Sequence, residues 1–276
     1  MSTFSTCTSS TRPGSPANGD VLFETDTKNV ILWDGTNWRG YASDGIPFAK
    51  GSTSADFDGT DDYISIADAD NLSFGDGSSD SPFSLATWLK ADGSGTRILC
   101  KCFETNLEYA FTIGGNNIPG LSLYDGNTDN RIQVNHASAL NPALNTWYHL
   151  AATYDGSGSV SGINHYLNGN PVSVTTTSLG TYVAMHNTSA PLDIGRFNAT
   201  FSGTNYESFT NGHLDDVAVI GKELSASEVS AIYSSNSYPT ELVSLWRFEG
   251  NANDSKGSNN GTGQNGVVLN STDVRS

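Results

Sequence analysis

Aspartates in three polar segments of the chain could hold a hard cation. Asp58 and Asp61 lie in one turn, Asp254 lies in an Asn-rich loop, and Asp216 follows another aspartate in a strand-like stretch. Ca²⁺ prefers carboxylate, amide and carbonyl oxygens. We predict a calcium site from these four residues, with the loop of Asp254 brought to the 58–62 turn if the last strand closes a sheet. The alternative is that the carboxylates cap their own backbone as Asx turns.

Aromatic rings close to hydrogen-bonding side chains could bind a sugar, since a ring covers the sugar face while polar groups contact hydroxyls. Two sets of residues combine these types: Tyr124, Asp125, Asn127 and Arg131, and Asn198, Asn205 and Tyr206. The alternative is that each ring packs against its own loop. The formal net charge of −16 opposes binding of acidic polysaccharides unless calcium bridges them.

Catalytic patterns are weak in this sequence. Hydrolysis of a glycosidic bond with retention needs two carboxyl groups about 5 Å apart. The eight glutamates are scattered, with no Glu-x-Asp-x-x-Glu pattern, and no histidine accompanies a Gly-x-Ser-x-Gly motif. We therefore expect no enzymatic activity.

The composition of the 276 residues indicates a β-rich protein with a real core. Ser, Thr, Asn and Gly make up about 43% of the chain, which disfavours long helices. A sequence pI of about 4.4 disfavours nucleic-acid binding. No stretch of 18 apolar residues predicts membrane insertion, and the polar start of the chain has no secretory signal pattern. Cys100 and Cys102 should share one strand face as reduced, partly buried thiols.

Short alternating strands separated by turn dipeptides extend from residue 55 onward. Segments such as 83–89, 109–113, 147–154 and 214–220 predict strands, and the Asp-Gly and Asn-Gly pairs between them predict turns. This pattern indicates a two-sheet antiparallel sandwich. A capping box at Ser225 and Glu228 predicts one short helix near 226–234, with Val229, Ile232 and Tyr233 on one face.

Residues 1–46 predict a small β-meander that cannot be stable alone, because so short a unit buries too little surface. Its aromatic residues are Phe23, Trp33, Trp38 and Tyr41. Buried aromatics dominate the energy of protein contacts. These rings must pack on the main domain or on another chain, and we predict that they attach the chain to a partner.

Six ordered segments carry a family resemblance: FDGTDDYISI (57–66), PFSLATWLKAD (82–92), WYHLAATYDG (147–156), HYLNGNPV (165–172), LDIGRF (192–197) and GHLDDVAVIGKELSASEVSAIY (212–233). Together they resemble the laminin-G-like branch of the concanavalin A-like lectin/glucanase superfamily. The resemblance implies a jelly roll of two antiparallel sheets over residues 47–276, and such domains often carry calcium.

The stretch LVSLWRFEGNANDSKGSNNGTGQNGV (242–267) resembles the segment that usually opens such a domain, yet here it follows the helix. Either the domain is circularly permuted or a second repeat begins and stops. We favour a strand over 242–249 that closes the same sandwich, because an unpaired strand there would expose apolar surface.

The N-terminal stretch RPGSPANGDVLFETDTKNVILWDGTNWRGY (12–41) resembles a segment of tailed-phage virion proteins. The resemblance implies a non-enzymatic virion structural protein, made in the host cytoplasm and displayed on the particle exterior. We expect a capsid decoration protein that contacts other virion proteins, forms a homo-oligomer and stabilises the particle or contacts host-surface polysaccharide. A tail-fibre adhesin, a bacterial carbohydrate-binding module and a polysaccharide depolymerase are the alternatives.

Overall fold

The computed structural model describes residues 5–8, 11–17, 21–24, 29–33, 38–41, 53–92, 95–126, 130–140 and 146–273. Within them lie one α-helix and 22 strands. The strands are β1 (Ser5–Cys7), β2 (Val21–Glu24), β3 (Asn29–Trp33), β4 (Trp38–Tyr41), β5 (Ser54–Asp58), β6 (Tyr63–Ile66), β7 (Phe83–Ala91), β8 (Arg97–Phe103), β9 (Asn106–Ile113), β10 (Pro119–Tyr124), β11 (Arg131–His136), β12 (Tyr148–Tyr154), β13 (Ile163–Leu167), β14 (Asn170–Pro171), β15 (Val174–Leu179), β16 (Leu192–Ile194), β17 (Arg196–Phe201), β18 (Thr204–Phe209), β19 (Asn211–Ile220), β20 (Leu242–Trp246), β21 (Gly261–Gln264) and β22 (Val268–Ser271).

Two eight-stranded antiparallel sheets form the body of the molecule. Sheet I has the order β15-β11-β10-β9-β8-β16-β6-β21. Sheet II has the order β14-β13-β12-β7-β19-β5-β22, with β20 also paired to β19. Phe57, Leu85, Tyr109, Leu123 and Trp246 are among the buried residues of the core that both sheets share. The predicted two-sheet sandwich is confirmed.

Side-chain alternation decides which residues of sheet I face outward. In β10, Leu121 and Leu123 enter the core, so Ser122 and Tyr124 lie on the outer face. The same alternation in β8 places Cys100 and Cys102 on that outer face. There they lie in a smaller apolar cluster that includes Ala199 of β17. Both are free thiols, as predicted, but they are fully buried rather than partly buried.

The helix α1 (Ala226–Ser235) lies on the outer face of sheet II. Ser225 Oγ accepts from the Glu228 amide, while a Glu228 carboxylate oxygen accepts from the Ser225 amide, so the predicted capping box is present. Val229 and Ile232 are buried against that sheet, and Tyr233 stacks on Trp88 with ring centres 5.4 Å apart. The predicted helix is confirmed.

The C-terminal segment belongs to the same sandwich. β20 pairs with β19, β21 pairs with β6 of sheet I, and β22 pairs with β5 of sheet II. Trp246 and Phe248 are fully buried in the shared core. The strand expected over 242–249 therefore ends at Trp246, and two further strands that the sequence did not predict follow it.

A separate four-stranded sheet, β1-β2-β3-β4, precedes the sandwich. β2, β3 and β4 form an antiparallel meander, and β1 pairs with β2 in parallel. Trp33 pairs with Trp38, and the residues between them, 34–37, lie outside the described residues.

Candidate functional site

A cleft of about 590 Å³ lies on the outer face of sheet I. Its floor consists of outward-facing residues of β9, β10 and β11, including Thr112, Ser122 and Gln133. The hairpin β17–β18 forms one wall, with Tyr206 and Ser208 on it. The cleft therefore combines residues from strands about a hundred positions apart in the sequence.

Three aromatic residues form a series from the base of the cleft to solvent. Tyr124 is only 5% exposed at the base, and its ring centre is 6.0 Å from that of Phe201. Phe201 in turn lies 5.8 Å from Tyr206, which is 52% exposed. Burial raises the pKa of Tyr124, so its hydroxyl stays neutral. The ring of Tyr206 is thus supported from below and open to a ligand.

Two arginines line the same cleft. Arg97 donates from Nε to Ser208 Oγ at 2.7 Å, and its guanidinium lies 5.9 Å from the ring centre of Phe197. Arg131 begins β11 beside Tyr124 of β10. Glu207 is the only acidic residue among the described lining residues, and its carboxylate accepts from Arg196 at 3.4 Å. The described lining therefore carries more positive than negative charge.

A second, polar cleft of about 270 Å³ adjoins the first, and Thr112 and Gln133 line both. Its other side chains include Asn116, Asn135 and Thr175, with Gln133 Nε2 donating to Asn135 Oδ1 at 3.1 Å. No charged residue is among its described lining. The outer face of sheet I therefore presents one charged, aromatic cleft and one neutral, amide-rich cleft in continuity.

The structure brings part of both predicted sugar-binding sets into the larger cleft. Tyr124 and Arg131 come from the first set and Tyr206 from the second. Asp125 instead contacts His186 Nε2 at 3.0 Å and accepts from the Val183 amide.

The remaining predicted residues contribute less to the cleft. Asn127 lies outside the described residues. Asn198 is buried and donates to Glu207 at 3.4 Å, while Asn205 lies opposite Thr200 in the hairpin.

Sequence reasoning missed Arg97 and Phe201 as cleft residues. The available signal was the alternation of Phe197, Ala199 and Phe201 followed by Ser202-Gly203, which is a hairpin pattern. Ser202 and Gly203 both have positive φ, as a two-residue hairpin turn requires.

The aspartates of the 58–62 turn form a compact cluster. One carboxylate oxygen from each of Asp58, Asp61 and Asp62 lies within 4.8 Å of the others. Asp58 Oδ1 accepts from the Thr60 amide and Asp62 Oδ2 from the Asp58 amide. Burial raises the pKa of Asp62, and the neighbouring carboxylates add to that rise. These oxygen donors fit a calcium ion, and the predicted site stays a prediction.

The other two predicted calcium ligands lie outside this cluster. Asp254 accepts hydrogen bonds from the amides of Leu245, Lys256 and Asn259. Asp216 accepts from Asn236 Nδ2 at 2.9 Å. The C-terminal segment does reach the 58–62 turn, but through Asn265, which donates to the Asp61 carbonyl at 2.9 Å.

The predicted attachment residues lie on the separate N-terminal sheet. Phe23 is on β2, Trp33 ends β3, and Trp38 and Tyr41 bound β4. Trp33 is half-buried; the side chains of the other three lie outside what the structure describes. Across the described ranges, no helix has the length and apolar character needed to cross a membrane.

Comparison with known proteins places this geometry in a family. Residues 58–230 match the Laminin_G_3 family, described as the Concanavalin A-like lectin/glucanases superfamily. A search of curated proteins finds no match.

Several solved structures are similar to this chain. A candidate carbohydrate-binding protein from Bacteroides ovatus has 19% identity and a TM-score of 0.55, with 80% of this chain and 60% of that chain covered. A heptameric pentraxin from Limulus polyphemus, similar to SAP, has 17% identity and a TM-score of 0.47, with 75% and 94% covered. Domains LG4-5 of the mouse laminin α1 chain have 13% identity and a TM-score of 0.44, with 61% and 41% covered.

The family match spans more than half of the chain, and the two-sheet architecture, with one helix among the described residues, agrees with it. The chain belongs to the Concanavalin A-like lectin/glucanases superfamily.

Proposed function

We propose that this chain is a non-catalytic, lectin-like protein that binds a glycan in the cleft between sheet I and the β17–β18 hairpin. The observation that carries the proposal is the meeting of an open aromatic ring, Tyr206, with the guanidinium groups of Arg97 and Arg131 in one cleft of about 590 Å³. A sugar presents C–H groups to the ring and hydroxyls to the polar side chains.

The lining of the cleft favours binding over hydrolysis. Two carboxyl groups must flank a glycosidic bond for the usual acid–base mechanism. Glu207 is the only acidic residue among the described lining residues, and it is held by Arg196 and Asn198. The Bacteroides ovatus protein named above supports the proposal by its fold, since its description is also carbohydrate binding.

Binding can be tested with the full chain on a glycan array, followed by calorimetry on the glycans that bind. We expect Tyr206→Ala to weaken binding roughly two- to twelvefold, because an aromatic contact contributes about 0.5–1.5 kcal/mol beyond its buried area. Tyr233→Ala, which removes a partly exposed ring from the outer face of sheet II, is the matched control and should leave affinity unchanged. If the Tyr206→Ala protein binds with the same affinity as the unmodified chain, the glycan binds outside this cleft.

For the biological setting, we propose that the domain is displayed on a bacteriophage particle, as a capsid decoration protein. The support is the N-terminal resemblance together with a sheet, β1–β4, whose described strands pair only with one another. So small a sheet gains stability by packing against another surface. Its aromatic residues are the proposed contacts with a major capsid or tail protein, and repeated virion sites favour a homo-oligomer.

Particle incorporation tests this setting. Chains lacking residues 1–46, or carrying Trp33→Ala, should fail to join phage particles while the intact chain joins them. Electron density at the head would support decoration, whereas density at the tail would indicate an adhesin. Undiminished incorporation of both variants would contradict the attachment role, and glycan binding with no particle association would favour a bacterial carbohydrate-binding module.

A further inference from the structure

The charge inside the larger cleft is opposite to the charge of the whole chain. The chain carries a formal net charge of −16, yet Arg97 and Arg131 both line this cleft. Among the described residues, neither arginine forms an ion pair with a carboxylate, and Glu207 is within ion-pair distance of Arg196. Among the described lining residues, an anion entering the cleft therefore meets two guanidinium groups and one carboxylate that already has a cationic partner.

Distance and screening decide which charge a ligand experiences. At physiological ionic strength, charges more than about 8 Å away are largely screened. The acidic side chains that produce the net charge are spread over the surface, whereas the two arginines lie in the cleft itself. Local charge therefore outweighs the whole-chain charge, so the net charge of −16 opposes an acidic polysaccharide less strongly when it binds in this cleft.

The neighbouring cleft adds a second chemical requirement for a ligand that occupies both clefts. It shares Thr112 and Gln133 with the first, and its described lining has amide and hydroxyl groups but no charge. A ligand that continues from one cleft into the other passes from two arginines to Asn116 and Asn135. Guanidinium forks match planar carboxylates, while amides match neutral hydroxyls and acetamido groups.

On the basis of the proposed glycan binding, we propose that the ligand is a linear acidic oligosaccharide. It places the carboxylate of a uronic or other acidic sugar against Arg131 and Arg97, one face of a sugar ring against Tyr206, and an adjacent neutral sugar in the amide-rich cleft. The ligand class is therefore a polysaccharide in which acidic and neutral sugars adjoin, rather than a purely neutral glucan.

Paired probes separate this inference from glycan binding in general. The full chain is titrated with oligosaccharides of four to eight sugars in which a uronic acid alternates with a neutral sugar, such as fragments of hyaluronan, unsulfated chondroitin and uronate-containing bacterial capsules. Each is compared with its carboxyl-reduced form, which keeps the linkages and removes the charge. We expect carboxyl reduction to weaken binding at least tenfold, and 0.5 M NaCl to weaken binding of the acidic form alone.

Variants locate the effect. Arg131→Gln should weaken binding of the acidic forms at least tenfold and leave any binding of the reduced forms unchanged, whereas Arg12→Gln, an exposed arginine near the N terminus, should change neither. An unchanged thermal midpoint would show that Arg131→Gln is folded. Equal binding of acidic and reduced forms, or an unaffected Arg131→Gln protein, overturns the acidic specificity and leaves glycan binding intact. Binding of neither form overturns both.

Discussion

Two histidines inside the sandwich are kept neutral by burial. His136 of β11 and His165 of β13 come from opposite sheets, and their rings make an edge-to-face contact at 5.2 Å. Phe111 lies 6.1 Å from the His165 ring. Burial lowers the pKa of His136 to about 4 and that of His165 to about 3, and the charge of His136 lowers the pKa of His165 further.

These two pKa values predict an acid-sensitive fold. In the unfolded chain both rings titrate near 6.5, so below that pH the unfolded state binds protons that the folded state excludes. Their contribution to stability is complete above pH 6.5 and falls by about 1.4 kcal/mol per pH unit per ring as the pH drops toward 4. Urea unfolding at pH 7 and at pH 5 should show His165→Gln losing less stability than the wild type over this interval.

The control for this experiment is His186→Gln, since His186 is half-exposed and bonded to Asp125 at the surface. If His165→Gln and the wild type lose the same free energy between pH 7 and pH 5, the buried ring is not the source of the acid sensitivity.

At the scale of residues, the sequence was most informative where side-chain chemistry alone marked a candidate. Tyr124, Arg131 and Tyr206 were each selected for the ability to stack or to bind hydroxyls, and all three line one cleft. Their meeting could not be predicted, because it depends on the hairpin folding over strands that precede it by some eighty residues. Asp254 shows the opposite case, because its carboxylate accepts from the amides of Leu245, Lys256 and Asn259, all within ten residues of it.

The hairpin β17–β18 is the element that turns an open sheet face into a cleft. It leaves sheet I at Gly195, directly after β16, where φ is +89°. A Cβ atom at this position would lie 2.5 Å from Phe57 Cε1, well inside van der Waals contact. Both the backbone angle and the core ring therefore require glycine here.

Gly195→Ala should destabilise the protein by roughly 2 kcal/mol or more, since it adds strain at positive φ to a clash in a packed core. Gly203→Ala is the matched control. Gly203 lies in the hairpin turn with φ +80°, yet nothing is within 4 Å of its would-be Cβ atom, so only the backbone term applies. Thermal unfolding of both variants measures the difference, and equal losses would show that contact with Phe57 contributes nothing.

Elements with strong local signals were predicted well. The helix was found because Ser225 and Glu228 satisfy backbone amides within one turn, which is a local event. The strands of the core were predicted from the two-residue alternation of apolar and polar side chains. The hairpin β17–β18 was not predicted, and β21 and β22 were missed because the segment is rich in Gly and Asn. Those two strands form because they pair with β6 and β5, and the local strand preference of a segment does not predict such pairing.

At the scale of the whole molecule, the C-terminal strands pair with strands from the beginning of the sandwich. β21 and β22 pair with β6 and β5, which lie some two hundred residues earlier, while β20 covers β19. Trp246 is fully buried, and its indole nitrogen donates to the Asn259 carbonyl at 2.9 Å. The segment that follows the helix is thus an integral part of the core. The order of the family-like motifs alone could not decide whether this segment closes the same sandwich or begins a second repeat.

Trp246→Ala should destabilise the sandwich by about 3–5 kcal/mol, because it leaves a large cavity and an unpaired carbonyl. Val268→Ala, on the exposed face of β22, should cost under about 0.5 kcal/mol.

A chain ending at residue 241 should aggregate or fail to unfold cooperatively, since it would uncover the edges of β5 and β6 and the core around Leu245. By contrast, removal of residues 1–46 should leave the unfolding midpoint of the sandwich nearly unchanged. Calorimetry of the four proteins tests this division, and a cooperative transition in the 1–241 chain at the wild-type temperature would contradict it.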